Sequence, residues 1–184
     1  MSQYESRTDE ELFEQLKELN DKQAFQVLYS RYNKRVFSYC VRCCGTREDA
    51  EDVFQTVISN IYEKRGSFRG GSFIAWLMTI TRNQCLMAKR VKRPTSDIEG
   101  FAELIGDAGD KTGSDFLMRE AVNDAIAKLP EEFREPIELR YFDDFSYEQI
   151  AEITGVSLSL VKVRLFRAKK MLLQMVAPYR EEFQ

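Results

Sequence analysis

The chain has 184 residues, of which 43% are hydrophobic, and this suffices for one medium domain or two small ones with buried cores. No apolar run approaches the roughly 20 residues that cross a bilayer, so we expect a cytoplasmic protein with no direct membrane insertion. The chain has no histidine, the commonest general base, and no nucleophile elbow or P-loop. An enzyme is therefore the weakest class, and no cofactor is expected.

Four helices are predicted in the first 94 residues. The first begins at a capping box formed by Thr8 and Glu11, and Thr46 can cap the third. After a glycine-rich break, Ser72 can cap a fourth helix, which turns basic and stops at Pro94. Apolar residues at helical spacing predict the core, among them Leu12, Phe13, Leu16 and Leu19 in the first helix and Phe73, Trp76, Leu77, Ile80 and Met87 in the fourth.

The cysteines are Cys40, Cys43, Cys44 and Cys85. Cys40 can share one face of a helix with Cys43 or Cys44, which invites a metal or redox interpretation. Cys85 is distant in sequence, and no histidine exists to complete a familiar zinc set. Small, buried and reduced thiols are therefore favoured, and no metal site is expected.

A second helical domain follows a linker. Glycine, aspartate and serine are frequent in residues 95–115 and the helical period fades there, which predicts a flexible connection. Regular helical spacing resumes at Phe116. The sequence therefore predicts an all-α fold, with a four-helix domain over residues 1–94 and a second helical domain over residues 116–184.

The charge distribution is uneven although the net charge is only −3. Residues 81–94 and residues 159–170 each hold five basic residues and no acid, whereas residues 95–120 hold seven acids and two bases. Such segregation predicts two strips that face a polyanion, separated by a segment that would repel DNA. For either strip taken alone, a solvated charged face is the alternative.

The strongest local signal is a helix-turn-helix between Ser146 and Arg167. Ser146 and Gln149 form a capping box, Gly155 permits a left-handed turn, and Ser157 can cap the second helix. The second helix then exposes cations, as a major-groove recognition helix requires. These cations are Lys162, Arg164, Arg167, Lys169 and Lys170.

Two blocks resemble one family. "TREDAEDVFQTVISNIYEKRGSFRGGSFIAWLMTITRN" is similar to the second region of extracytoplasmic-function sigma factors, and "LPEEFREPIELRYFDDFSYEQIAEITGVSLSLVKVRLFRAKKML" resembles their fourth region. The blocks occur in the family's order, and the resemblance runs from about Asp9 to Tyr179. It implies a sigma factor of the sigma-70 family whose partners are RNA polymerase core and promoter DNA.

The resemblance assigns roles within the first domain. It implies that Asp49, Asp52 and Gln55 dock on the clamp coiled coil of the polymerase's largest subunit. Asn83 matches a position that helps to read a base turned out of the minus-ten element, and an amide offers both donor and acceptor. The cations expected to hold phosphates nearby are Arg82, Lys89, Arg90, Lys92 and Arg93. Relatives often carry Asp where this chain has Met87.

In the second domain, the resemblance implies contacts with the minus-thirty-five element. Lys162, Arg164, Phe166 and Arg167 would face the bases, and Arg140 would reach a phosphate from an earlier helix. Arginine and lysine read guanine acceptors, while a phenylalanine can contact a thymine methyl. Relatives commonly have Gly-Thr where Ser159 and Leu160 stand and Ser where Val163 stands, so the promoter sequence cannot be borrowed from them.

Alternatives remain for the function and for its control. A stand-alone helix-turn-helix regulator would bind duplex DNA without polymerase, and a helical adaptor would bind only proteins. The resemblance further implies an inhibitory partner, an anti-sigma factor, that covers both DNA-reading domains. The competing mechanism is self-masking, in which the linker approaches a basic strip. The linker acids concerned are Asp97, Glu99, Glu103, Asp107 and Asp110.

Overall fold

The computed structural model describes residues 4–91 and 113–181, with side chains over residues 4–90 and 118–178. The chain divides into two compact units, unit 1 (Met1–Ile105) and unit 2 (Gly106–Gln184). Every regular element within the described ranges is a helix, so the predicted all-α fold is confirmed. None of the helices in those ranges is long and apolar enough to cross a membrane.

The described part of unit 1, residues 4–91, contains four α-helices. They are α1 (Asp9–Leu19), α2 (Lys22–Cys44), α3 (Arg47–Glu63) and α4 (Phe73–Val91), with a short 3-10 turn at Arg65–Ser67 between the last two. The predicted capping box of Thr8 and Glu11 is present at α1. Thr46 caps α3 by accepting a hydrogen bond from the backbone of Asp49, and Ser72 accepts one from the backbone of Ala75 in α4. Local capping thus sets where these helices begin.

An aromatic cluster holds unit 1 together. The Phe13 ring lies 4.8 Å from Phe73, 4.9 Å from Trp76 and 5.2 Å from Phe68, measured between ring centroids. Phe13 belongs to α1, Phe68 to the connection before α4, and the other two to α4. Aromatic rings bury large apolar areas, so this cluster fixes α4 against α1.

Polar contacts add further links between α1 and its neighbours. Asp9 forms an ion pair with Arg31 at 2.6 Å and accepts a hydrogen bond from the Tyr32 hydroxyl. The Glu10 carboxylate accepts a hydrogen bond from the backbone N–H of Phe73 at 3.1 Å. A residue of α1 thus satisfies one of the unpaired N–H groups at the start of α4.

Unit 2 is built on a smaller, largely aliphatic core. Its helices are α5 (Gly113–Ala127), α6 (Glu131–Tyr141), α7 (Tyr147–Thr154) and α8 (Leu158–Glu181). Side chains from the last three helices and from the connection before α7 meet in this core, and the buried ones include Ile137, Leu139, Phe145, Ile150, Ile153, Val161, Leu165 and Ala168. α5 begins at Gly113, so residues 113–115 of the predicted linker are helical, while residues 95–112 lie outside the described ranges.

Two residues predicted for the core lie on the surface instead. Leu19, at the last position of α1, is 73% exposed because the helix ends there and nothing covers its outer side. Met87 is 57% exposed. Met87 lies on nearly the same side of α4 as buried Ile80, seven residues earlier, but in the last turns of the helix the buried residue is Cys85, and Met87 lies about 200° from it.

Candidate nucleic-acid interface

The structure brings together on α3 the three residues expected to bind polymerase. Asp52 and Gln55 are exposed and Asp49 is half-buried, while the buried side of the helix carries Ala50, Val53, Val57 and Ile61. Steps of three residues keep Asp49, Asp52 and Gln55 on neighbouring positions, along about 9 Å of the helix. Arg47 on the same helix pairs with Glu51 at 3.0 Å, so it is not engaged with Asp52. The result is an acidic, solvent-facing surface.

The exposed face of α4 is narrow. Among residues 73–90 of α4, the exposed ones are Asn83, Met87 and Arg90, and steps of four and three residues place them in one row about 10 Å long. This row, the α4 exposed row, presents one amide, one thioether and one cation. Met87 was missed as a site residue, although its spacing from Asn83 could have revealed it.

The other predicted cations near α4 occupy a different flank. Arg82 and Lys89 are half-buried and seven residues apart, so they share one side of the helix, about 100° from the α4 exposed row. Lys92 and Arg93 lie outside the described residues. Of the five predicted phosphate-holding cations, only Arg90 is therefore seen in the same row as Asn83.

The connection between α3 and α4 carries cations that the sequence analysis did not single out. Lys64 and Arg69 are exposed, and the guanidinium of Arg65 lies 4.7 Å from the centre of the Tyr62 ring. Gly70 and Gly71 both have positive φ, at 94° and 90°, a conformation that side chains other than glycine rarely adopt. Three cations without an acid between Lys64 and Ser72 were the available signal.

Unit 2 contains the predicted helix-turn-helix as α7 and α8. Ser146 accepts a hydrogen bond from the backbone of Gln149 at 3.1 Å, and the Gln149 side chain accepts one from the backbone of Ser146 at 3.0 Å. Gly155 ends α7 in the left-handed conformation with φ at 70°. Ser157 then accepts a hydrogen bond from Leu160 at 3.2 Å and caps α8. Each predicted capping and turn residue therefore has the predicted role.

The outer face of α8 combines cations with apolar side chains. Val163, Phe166 and Lys170 lie opposite the buried stripe of the helix, and Lys162 and Arg167 flank them on either side. Phe166 is 71% exposed, so it does not belong to the core of unit 2. A large aromatic side chain left in solvent, with four neighbouring positions cationic or apolar, is typical of a binding surface.

Two predicted minus-thirty-five residues make contacts within unit 2. Arg164 is half-buried and approaches Glu132 of α6 at 3.5 Å, away from the outer face of α8. Arg140 donates a hydrogen bond to the Phe145 carbonyl at 3.0 Å, and its guanidinium lies 5.7 Å from the centre of the Tyr147 ring. Arg140 therefore braces the start of α7, and Lys162, Phe166 and Arg167 are the predicted residues that the structure groups on one surface.

A cation and a tyrosine meet beside this surface. The Lys169 ammonium lies 5.4 Å from the centre of the Tyr141 ring. A hydrogen bond with the Tyr141 hydroxyl raises the pKa of Lys169, so this ammonium stays charged at neutral pH. Lys169 and Lys170 extend the positive charge of α8 beyond the helix-turn-helix itself.

Two family models match segments of this chain. The chain matches the family model for Sigma-70 region 2 over residues 28–95 and the model for Sigma-70, region 4 over residues 119–172. The first match covers α4 and its exposed row, and the second covers the helix-turn-helix.

Similar whole proteins belong to the same class. The ECF RNA polymerase sigma-E factor of Haemophilus influenzae is 34% identical over 187 residues, covering 95% of this chain and 98% of that protein. The solved structure of CnrH in complex with the cytosolic domain of CnrY has a TM-score of 0.69 at 23% identity, covering 92% of this chain and 97% of CnrH.

A second solved structure has a similar fold. RpoE of Bartonella quintana, in complex with the anti-sigma factor NepR, has a TM-score of 0.64 at 24% identity, covering 83% of this chain and 96% of RpoE. The chain therefore belongs to the extracytoplasmic-function (ECF) sigma factors of the sigma-70 family, which direct RNA polymerase core to promoters.

Proposed function

We propose that the two units of this sigma factor divide promoter recognition between them. Unit 1 binds polymerase core through α3 and the minus-ten element through the α4 exposed row, and unit 2 binds the minus-thirty-five element through α8. The observation that carries this proposal is the presence of separate exposed surfaces of different chemistry on the two units. The protein has no catalytic activity of its own and acts in the cytoplasm, where the polymerase is.

The acidic surface of α3 is proposed to meet a basic partner. Asp52 supports this most directly, because it is exposed and lies in the second turn of α3, beyond the first turn where a helix favours acids for its own stability. Charge reversal by Asp52→Lys is expected to weaken co-purification with polymerase core while leaving the helical content unchanged. Glu18→Lys, at an exposed acid of α1, is the matched control. Equal core binding by both variants would remove the assignment.

The α4 exposed row is proposed to read an unpaired base. The Asn83 side-chain amide can both donate and accept hydrogen bonds. Exposed Met87, one turn further along α4, offers an apolar surface against which a base can pack. Asn83→Ala should change base preference within the minus-ten element, whereas Arg90→Ala should weaken binding to every sequence alike. The measurement is holoenzyme binding to promoter fragments that differ at single minus-ten positions.

The outer face of α8 is proposed to lie in the major groove. Lys162 and Arg167 can donate to guanine acceptors, and Phe166 can contact a thymine methyl. Arg140 supports this face by fixing the start of α7, and Arg164 supports it through Glu132. Arg140 and Arg164 thus support the recognition helix, and only the exposed side chains of α8 contact bases.

Run-off transcription with polymerase core and genomic promoter fragments tests the whole proposal. We expect initiation at a defined set of promoters only when core and this protein are both present. A gel shift without core separates the sigma factor from a stand-alone regulator, which would bind the same duplexes unaided. Absence of salt-dependent DNA binding even with core present would indicate an adaptor that binds only proteins.

We also propose that an anti-sigma factor controls the protein. Two similar structures, CnrH with CnrY and RpoE with the anti-sigma factor NepR, are complexes of this kind. Unit 1 has a small apolar depression lined by residues that include Phe25, Tyr29 and Ile58, and an apolar side chain of a partner would pack against it. A factor held by a partner should bind core and initiate readily when purified alone.

Self-masking by the acidic linker predicts the opposite result. A self-masked factor should bind core weakly until salt rises or the linker acids are neutralised. Core affinity is therefore compared between the purified protein and a variant with amides at Asp97, Glu99, Glu103, Asp107 and Asp110. Similar affinity of the two proteins supports the partner, and a large gain from the five substitutions would overturn it.

A further inference from the structure

Three apolar side chains are exposed side by side on the outer face of α8. Leu160 is 39% exposed, Val163 is 42% exposed and Phe166 is 71% exposed. Steps of three residues place them on one slanted ridge about 9 Å long, on the side away from buried Val161 and Leu165. Single exposed apolar residues are ordinary, but three neighbours form a patch of the kind that a partner covers. These three residues are the α8 apolar ridge.

The neighbours of the α8 apolar ridge are cations. Lys162 and Arg167 are exposed on either side of it, and no acidic residue occurs in the sequence from Ser157 to Lys170. Duplex DNA supplies phosphates along both edges of its grooves, and these match cations that flank an apolar centre. A protein partner would have to bring acidic residues around its own apolar side chains. The charge of this face therefore favours DNA as its occupant.

The position of the ridge within α8 agrees with contact to bases. Ser157 caps α8 by accepting a hydrogen bond from the backbone of Leu160, and the ridge occupies the first three turns of the helix. The N-terminal residues of a recognition helix are those that contact base edges in the major groove. Leu173 is also exposed and lies on nearly the same side of α8 as Phe166, but it follows two turns later. Leu173 therefore lies beyond the part of the helix that is expected in the groove.

Thymine carries the apolar group that the major groove displays. Its 5-methyl group distinguishes it there, whereas the other base-edge groups are hydrogen-bond donors and acceptors. The side chains of Leu160 and Val163 have no donor or acceptor, so they cannot read those groups. Successive base pairs are about 3.4 Å apart along the DNA axis, so a ridge about 9 Å long spans about three of them.

We propose that the α8 apolar ridge makes thymine 5-methyl groups a determinant of the minus-thirty-five element, with Leu160 and Val163 each packing against one methyl group next to the contact already proposed for Phe166. This inference rests on the proposed binding of α8 in the major groove, and it adds two residues that select sequence there. Each contact removes a methyl group and an aliphatic side chain from water, which is the source of the preference. The element should therefore contain thymines, on either strand, at adjacent positions.

Deoxyuridine is a probe that removes only the methyl group of thymine. The preferred element is first selected with holoenzyme from promoter fragments that are randomised over the minus-thirty-five positions and share one minus-ten sequence. Each thymine of that element is then replaced by deoxyuridine, one position at a time. We expect loss of a methyl group at adjacent positions to weaken holoenzyme binding about two- to fourfold per position. An element without thymine, or equal binding of all deoxyuridine fragments, would overturn the proposal.

Leu160→Ala and Val163→Ala assign the methyl contacts to residues. Both side chains are exposed, so neither substitution should change the helical content measured by circular dichroism. Each variant should bind the thymine and deoxyuridine fragments equally at one position and keep wild-type discrimination at the other. Leu173→Ala, the matched control, should discriminate as the wild type does. Discrimination that survives in both ridge variants would contradict the proposal, because other residues would then read the methyl groups.

Two further measurements separate this inference from the proposed function. Holoenzyme that binds equally well after the whole minus-thirty-five element is scrambled would overturn the proposed role of unit 2, and the inference with it. Dependence on the element without any response to deoxyuridine would overturn the inference alone. Co-purification with polymerase core in the absence of DNA tests a protein occupant, and we expect Leu160→Ala and Val163→Ala to assemble like the wild type. Weaker assembly of either variant would show that the ridge contacts the polymerase and not thymine.

Discussion

The two units present their proposed DNA-binding surfaces in different ways. In unit 2, α8 exposes Lys162, Phe166 and Arg167 on a helix that local signals between Ser146 and Arg167 define almost completely. In unit 1, α4 is buried on most sides, and its exposed row depends on an aromatic cluster drawn from distant parts of the chain. We infer that the unit 2 surface is determined locally, whereas the unit 1 surface depends on the whole fold of that unit.

The largest effect is expected from removing a central core side chain from each unit. Phe13 and Leu165 are both buried, and each belongs to the core that supports one proposed DNA-binding helix. Phe13→Ala should destabilise unit 1 by about 3–5 kcal/mol, and Leu165→Ala should destabilise unit 2 by about 2–5 kcal/mol. Trp76 is the only tryptophan of the chain and lies in unit 1, so its fluorescence reports unfolding of that unit.

Binding assays show whether each loss stays within its unit. Phe13→Ala should reduce core binding and minus-ten recognition, and Leu165→Ala should reduce minus-thirty-five recognition. Circular dichroism, which detects helices of both units, should show a larger change than tryptophan fluorescence when Leu165 is replaced. Trp76 fluorescence measures the stability of unit 1. If Leu165→Ala lowers that stability as much as Phe13→Ala does, the two units are not independently stable.

The second prediction separates two arginines of α8. Arg167 is exposed on the outer face, while Arg164 approaches Glu132 at 3.5 Å. Arg167→Ala should cost about 1–3 kcal/mol of binding free energy at specific minus-thirty-five positions. Arg164→Ala should mainly lower the stability of unit 2, and it should weaken binding to all promoter sequences alike. Holoenzyme binding to promoter variants, with urea unfolding as the control, distinguishes them, and identical sequence profiles for both variants would contradict the assignment.

The same contrast explains how much could be predicted from sequence. The helix-turn-helix, its capping box and its left-handed glycine follow from residue types at fixed spacing, and all are present. Met87 was predicted for the core because it follows Ile80 by seven residues, and it lies on the surface because the buried side of the last turns of α4 is the side that carries Cys85.

The partial burial of Arg164 belongs to the same class of result. Its position in the sequence placed it among the cations of the recognition helix. Arg164 follows Lys162 by two residues, however, and so points about 200° away from Lys162 around the helix axis. Its contact with Glu132 depends on how α6 packs against α8 and is not visible in the sequence. Caps and turns within one stretch of chain were predicted together with their partners, whereas the partner of a polar side chain that reaches another helix was not.

A third, smaller effect is expected at helix caps. Ser146 forms a reciprocal capping box with Gln149, whereas Thr46 caps α3 in one direction only, by accepting from Asp49 at 3.3 Å. Ser146→Ala should cost about 1 kcal/mol of stability, and Thr46→Ala somewhat less, because only the first substitution breaks a box. Urea unfolding of both variants measures the difference, and a larger loss at Thr46 would show that unit 1 depends on local capping more than we infer.

The smallest effect concerns the response of the two units to acid. Asp21 caps α2 by accepting from the backbone of Gln23 at 2.8 Å, and it also accepts a hydrogen bond from the Tyr4 hydroxyl at 2.9 Å. The hydrogen bond from Tyr4 is the main cause that lowers the pKa of Asp21 in the folded state. The charged carboxylate therefore stabilises unit 1 fully above its unfolded pKa of about 3.9, and this contribution is lost as pH falls through the lower folded pKa. Asparagine is an equally good cap but does not titrate. The stability difference between the wild type and Asp21→Asn should accordingly shrink as the pH falls from neutral to below about 3.

The hydroxyl cap Ser146 in unit 2 does not titrate, so the difference between the wild type and Ser146→Ala should stay constant over the same range. Thermal unfolding of the three proteins at several pH values provides the measurement. A constant difference for Asp21→Asn would show that the carboxylate acts only as a hydrogen-bond acceptor and that its charge adds nothing to unit 1.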